Sequence, residues 1–225
     1  MTERRAVLLA AATLGIAVGV FGIAFGVGVV SAGGTVLQAV VMSLLVFTGA
    51  SQFSAVSVAA TGGSLAAALG GALLLAARNA VYGLSMSRVI TGRLLTRLAA
   101  AHLTIDESTA MALAQPDRDR QRTAFWTTGV AVLVCWNLGT LIGALVGTAV
   151  DPLTWGLDAA FPAGFVAMVA PHLRHRRGLL AGALGGAVCL ALVPYTPVGV
   201  PILAASAAIL FGLPGPNPSL DGEEK

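Results

Sequence analysis

Residues 73–86 read LLLAARNAVYGLSM. Arg78 in this stretch is the only Asp, Glu, Lys, Arg or His side chain between Arg5 and Arg88, and its surroundings read as buried or lipid-facing apolar helix. Those surroundings decide what the arginine means. Residues 6–77, 123–150 and 178–220 carry no Asp, Glu, Lys or Arg, and each run exceeds the ~20 residues an α-helix needs to cross ~30 Å of hydrocarbon. The chain has 225 residues, 56% hydrophobic and 10% charged, where a soluble domain carries about a quarter charged residues. It reads as an all-α polytopic integral membrane protein. Barrel strands would alternate polar and apolar residues, whereas these segments are continuous Ala, Leu, Gly and Val.

Gly, Pro and charge breaks divide the chain into about seven apolar segments, near 6–30, 36–61, 65–92, 123–149, 159–172, 178–193 and 198–213. They are expected to form a single membrane domain: a first half (6–92), a central cytoplasmic connection (93–122), a second half (123–213) and a polar tail (214–225). The basic start followed by ~25 apolar residues reads as a retained helix rather than a signal peptide. Two segments are interrupted, by FTGASQF (47–53) and AARNAVYG (76–83). Non-helical backbone at membrane depth survives only where protein or a water-filled cavity satisfies its N–H and C=O groups, so the breaks are expected to line a site.

Orientation follows from the arginines. Arg88, Arg93, Arg97, Arg118, Arg120 and Arg122 flank the central connection, and Arg174, Arg176 and Arg177 fill a second basic loop, so both are expected in the cytoplasm, with Ser108 reachable from there. Asp151 and Asp158 mark an outside loop between them. If Arg4 and Arg5 are also inside, three crossings would put the central connection on the wrong face. Either the N-terminus lies outside, or an element near 48–53 or 78–83 is re-entrant. The two halves are candidate inverted repeats. Gly15/Gly19, Gly22/Gly26, Gly139/Gly143/Gly147 and Gly182/Gly186 recur at four-residue spacing, which lets helix backbones approach in lipid. Within the central connection, Leu94, Leu95, Leu98 and Leu103 beside Arg93 and Arg97 predict an interfacial amphipathic helix. Thr104 and Glu107 then predict a capping box that starts a short helix.

Chemistry on a substrate is not expected. His102, His172 and His175 fall in basic loops without a carboxylate at helical spacing, and no GxxxxGK[ST] loop is present, so the chain reads as neither a metalloenzyme nor an ATPase, with no cofactor. Cys135 and Cys189 read as small buried hydrophobes. The basic segments mark topology, not nucleic-acid binding. What remains is Arg78, either a surface anchor after a helix ending at Ala77 or a charge near mid-membrane, where insertion costs ~2.5–3.5 kcal/mol and such residues face a cavity, partner or substrate. No Asp or Glu lies within an apolar segment. The candidate counter-groups are a substrate carboxylate, helix-end carbonyls or Asp158, with Asn79, Tyr82, Ser85, Thr48, Gly49, Ser51 and Gln52 nearby.

The sequence FTGASQFSAVSVAATGG (47–63), then ARNAVYGLSM (77–86), TIDESTAMA (104–112) and GLDAAFPAGFVAMVAP (156–171) resemble the AzlC family, the large subunit of bacterial branched-chain amino acid exporters. The resemblance runs from about residue 10 to 212. It implies proton-coupled export of valine, leucine and isoleucine, with methionine a further candidate, across the inner membrane, with a small AzlD-type membrane subunit as partner; a homo-oligomer is a candidate assembly. It also implies substrate-binding roles for Gly49, Ala50, Ser51, Gln52, Asn79 and Tyr82, to which the buried-charge argument adds Arg78, and Asp158 is a candidate for proton coupling or for pairing Arg78. Many members carry the arginine after the asparagine, whereas here it precedes it as Arg78. A passive channel with Arg78 as its selectivity element is the alternative reading.

Overall fold

The structure, a computed structural model, describes residues 3–149, 154, 163, 166, 169–170, 172–196 and 200–211. All regular secondary structure among them is helical, and the chain forms two compact units, Met1–Phe165 and Val166–Lys225. The first contains α1 (Glu3–Ser31), α2 (Val36–Leu45), α3 (Gly49–Ala60), α4 (Leu65–Ala76), α5 (Arg78–Met86), α6 (Leu94–His102), α7 (Asp106–Leu113) and α8 (Arg118–Ala149). The second contains α9 (Arg176–Leu192) and α10 (Val200–Ala205), with 3-10 turns at His172–Arg174 and Ser206–Phe211. Most of the expected segment 159–172, the tail 214–225, Asp151 and Asp158 lie outside the described residues.

Among the described residues three stretches are long and apolar enough to cross a membrane: Arg4–Ser31, Leu65–Met86 and Arg118–Ala149. The outer two form the frame. Gly15 packs on Ala131, Gly19 on Cys135, Gly26 on Thr140 and Gly147 on Val27. These pairs rise together in number, so α1 and α8 run parallel and start on the same side. Arg4 and Val7 accordingly share a crevice with Asp119 and Thr123. Three of the four glycine repeats serve this seam. A Cβ on Gly15 or Gly19 would lie 3.0 Å from a carbonyl oxygen of α8, and one on Gly143 would overlap the Ile23 carbonyl. The fourth pair differs: Gly182 gives room to Leu173 within the second unit, and Gly186 faces open space.

A parallel frame resolves the parity problem, because an even number of crossings must separate the two starts. The segment 36–61 is not a crossing. Thr35 caps α2 through a hydrogen bond from the Gln38 N–H, and α2 runs inward until Ser43 donates to Thr140 Oγ1 at 3.2 Å. The chain breaks at 46–48 and α3 returns, with Gln52 Nε2 donating back to the Met42 carbonyl at 2.9 Å. In a continuous helix those residues would lie about 15 Å apart at ~1.5 Å per residue. Val56 and Ala59 of α3 rejoin Val29 and Gly34 around one apolar crevice, which brings the hairpin back to the side it entered from. The re-entrant element is therefore at 46–53. The other break expected, at 76–83, is slight: Ala77 keeps helical dihedrals and donates to the Leu73 carbonyl, so α4 and α5 form one span.

The central connection differs from the flat interfacial helix the sequence suggests. After α6 the chain turns at Leu103, and α7 runs back beside α8. Leu103 is buried against Gly129, about 16 Å along α8 from Arg118 at ~1.5 Å per residue. Residues 94–113 thus form a second re-entrant hairpin, entering from the basic side. The cap falls one residue later than expected: Ile105 is the N-cap and donates its N–H to Ser108 Oγ, while Thr104 Oγ1 donates to the Ala100 carbonyl. Ser108 is fully buried at this turn instead of reachable from solvent. The order is span, hairpin, reversed span, reversed hairpin, then α8, so α1–α3 and α4–α7 form an inverted pair of units smaller than the halves expected.

Gly143→Leu is expected to destabilise the protein by at least about 2 kcal/mol, because overpacking here meets backbone. Gly83, where an added Cβ would meet nothing within 4 Å, is the control, and Gly83→Ala is expected to be neutral. Thermal unfolding of purified protein followed by size-exclusion recovery measures both.

Candidate functional site

The two hairpin tips meet. The Phe47 ring lies against His102, with centroids 5.8 Å apart, joining the break of the first hairpin to the end of α6 in the second. Each tip is fixed by its own chemistry. At the first, Phe53 and Phe25 are wholly buried with Trp136, at centroid distances of 5.7, 5.8 and 6.0 Å, and Gly49 lets the backbone lie on the indole, where a Cβ would stand 3.3 Å from the ring. At the second, Ser108 Oγ donates to the Leu103 carbonyl at 2.6 Å and accepts from Ile105, closing the turn.

Between the tips and the α4–α5 span lies a cavity of about 260 Å³. Thr48, Ser51, Asn79, His102 and Thr104 supply its polar lining, and Leu69, Leu73 and Ala76 are among its aliphatic walls. Ser51 is 2% exposed, and its hydroxyl, like that of Thr48, has no hydrogen-bond partner among the described residues. Such groups cost free energy when buried alone and mark where a ligand or water is accommodated.

Arg78 lies about 20 Å along the span from Leu65, at ~1.5 Å per residue, and its counter-charge is one the sequence did not suggest. Its Nη1 is 2.6 Å from Asp106 Oδ2, at the first residue of α7. Asp106, in the polar TIDES segment, reaches this arginine because the second hairpin carries it there. Tyr82, one turn further along α5, lies beside the same carboxylate. Asp158, the other candidate partner, is outside the described residues.

The expected site residues therefore divide. Ser51 and Asn79 line one cavity. Arg78 and Tyr82 gather around Asp106 next to it. Gly49 and the buried Ala50 seat the tip, and Gln52, wholly buried, ties the arms of the first hairpin together. Sequence reasoning missed Asp106, His102, Phe47 and Trp136 as parts of one locus. Its polarity disguised the second hairpin as a loop; the available signal was the Ser-containing TIDES turn next to apolar Leu103 and Ile105. No group of three or more metal-ligating side chains occurs among the described residues.

Comparison with known proteins agrees with this picture in kind. The family profile described as AzlC protein matches residues 13–150, which contain both hairpins and the frame. The chain is 31% identical over 201 residues to Inner membrane protein YgaZ of Escherichia coli K12, covering 84% of this chain and 78% of that protein. It is 29% identical over 198 residues to an uncharacterized membrane protein of Helicobacter pylori J99, covering 84% of this chain and 86% of the relative. A third, an uncharacterized membrane protein of Archaeoglobus fulgidus, is 29% identical over 199 residues, covering 85% and 86%. No solved structure matches the chain.

The division of roles has a measurable consequence. Gln52→Leu removes the side-chain bond between the arms of the hairpin, the Met42 carbonyl keeping its Val46 N–H donor, and is expected to cost about 0.5–1.5 kcal/mol, lowering the thermal midpoint. Ser51→Ala removes a hydroxyl that has no partner among the described residues and is expected to leave the midpoint unchanged or higher, while weakening ligand binding to the cavity. Equal destabilisation by both would contradict the assignment.

Proposed function

The chain belongs to the AzlC family, and on that premise we propose that it is the large subunit of a secondary transporter that exports branched-chain amino acids. The substrates are valine, leucine and isoleucine, with methionine a further candidate, and transport is coupled to the proton gradient without chemistry on the substrate. The protein works in the bacterial inner membrane, with the basic side cytoplasmic, together with a small AzlD-type membrane subunit.

The observation that carries this reading is the convergence of two opposed hairpin tips on one small cavity near mid-membrane. Secondary transporters place their binding sites at the midplane, at the interface of inverted units and at discontinuous helices, because a site reached alternately from both faces must be gated from both. A hairpin from each side supplies one gate per face. The cavity suits an aliphatic side chain: its walls are largely Leu and Ala, and two of its polar residues, Asn79 and Thr104, stand next to Arg78 and two residues before Asp106 in the chain. A guanidinium beside it offers planar, bidentate recognition of a carboxylate.

Cells loaded with leucine-containing dipeptides test the proposal. With both subunits present, leucine is expected to leave against its gradient, and a protonophore is expected to abolish this. Equilibration without uphill movement would indicate a channel instead. Arg78→Gln is expected to reduce efflux at least tenfold while membrane insertion, judged by membrane-fraction yield, stays within twofold; unchanged efflux would contradict a role for Arg78.

A further inference from the structure

We infer that Arg78 and Asp106 are the two halves of a receptor for a zwitterion, held closed on each other in the empty site and opened by the substrate. The inference rests on the transport reading above and adds Asp106 as the group that recognises the substrate ammonium.

The geometry of the pair leaves capacity unused on both sides. One guanidinium nitrogen, Nη1, meets one carboxylate oxygen, Oδ2, at 2.6 Å. The other oxygen, Oδ1, is buried and has no hydrogen-bond partner among the described residues. A pair serving only to join two helices is strongest when bidentate, with both oxygens engaged. Here the side chains are 41% and 39% exposed at membrane depth, where lipid is an unsuitable neighbour for charge. The unpartnered Oδ1 of Asp106, with the Tyr82 hydroxyl beside the same carboxylate, and the remaining N–H groups of Arg78 lie next to each other, which is the complement of an α-ammonium and an α-carboxylate on one carbon.

Charge balance selects this ligand class. The Arg78–Asp106 pair is neutral and so is a zwitterionic amino acid, so exchanging one ion pair for two leaves the net charge of the locus, with Glu107 beside it, unchanged. A carboxylate without an ammonium would take Arg78 and strand Asp106; an amine without a carboxylate would do the reverse. Both are rejected by the charge they leave unpaired. The side chain has a place as well, since Asn79 and Thr104, next to Arg78 and two residues before Asp106, line the cavity with Leu69, Leu73 and Ala76.

The same exchange couples binding to movement. Arg78 stands on the full-length span and Asp106 on the returning arm of the second hairpin, so opening the pair releases α7 from α5. Asp106 is thus both a specificity residue and a latch.

The test compares leucine with two analogues of its skeleton, 4-methylpentanoate, which lacks the ammonium, and 3-methylbutylamine, which lacks the carboxylate, in competition binding to the purified two-subunit complex. Wild type is expected to bind leucine at least about tenfold more tightly than either analogue, the scale of a lost charge-assisted hydrogen bond. Equal affinities in wild type would overturn the proposal without any variant. Asp106→Asn is expected to weaken leucine at least tenfold and to bring leucine and 4-methylpentanoate within about threefold of each other. The charge swap Arg78→Asp with Asp106→Arg is expected to restore the thermal midpoint but not leucine binding. If the swap restores both, or Asp106→Asn weakens all three ligands equally, the pair is a structural clamp and the proposal fails. If wild type binds none of the three, the transport reading fails and takes this one with it.

Discussion

A helix that ends halfway through hydrocarbon exposes backbone N–H and C=O groups where no water can satisfy them, and the described residues of the first unit contain two such endings. Most of its architecture answers that constraint. At the first tip Val46 N–H and Gln52 Nε2 both donate to the Met42 carbonyl, and the Thr48 carbonyl accepts from Ser51. At the second, Ser108 closes the turn from within, and the Leu103 carbonyl is its acceptor. Trp136, Phe25 and Phe53 keep the first turn packed against the frame. The frame must come close enough for this packing, and the glycine seam between α1 and α8 permits it, since a side chain on Gly26, Gly139 or Gly143 would overlap backbone of the facing helix.

The second consequence concerns charge. A single arginine near the bilayer centre is unfavourable by several kcal/mol, and the fold lowers that cost by bringing Asp106 to it on a hairpin from the basic side. The two hairpin tips touch through Phe47 and His102 and share the lining of one cavity, with the ion pair at the start of α7. His102 thus sits against Phe47 instead of in a solvated loop. An arrangement with one discontinuous element from each face suits alternating access, because each face can be opened by moving its own hairpin while the other stays seated.

Part of this was legible in the sequence. Charge-free runs of more than about 20 residues identified a helical membrane protein, and a parity conflict among the arginines pointed to a re-entrant element near residues 48–53 or 78–83, the first of which is the one the fold uses. Four-residue glycine spacing marked places of close helix approach, and three of the four repeats lie in the α1–α8 seam, a pairing the spacing itself does not specify. The second hairpin was not legible, because periodicity and composition report how polar a segment is, not how deep it lies. With Arg93, Arg97, Asp106 and Glu107, residues 93–113 have the composition of an interfacial loop; only the packing of Leu103 on Gly129 shows that the segment enters the unit. Arg78 and Asp106 are 28 residues apart in sequence, with no periodicity linking them, so their pairing is a property of the tertiary fold. Gln52 divides its amide: Nε2 donates within the hairpin, and Oε1 is buried with no hydrogen-bond partner among the described residues.

The meeting of the two tips near mid-membrane is central to all of this, and paired cysteines test it most directly. With Cys135 and Cys189 replaced by alanine, cysteines at positions 47 and 102 are introduced together and treated in native membranes with a short bifunctional thiol reagent. Efficient intramolecular cross-linking is predicted, with both sites poorly labelled by membrane-impermeant reagents. Absence of a cross-link together with rapid aqueous labelling at position 102 would place the second hairpin in a solvated loop and contradict the meeting of the tips.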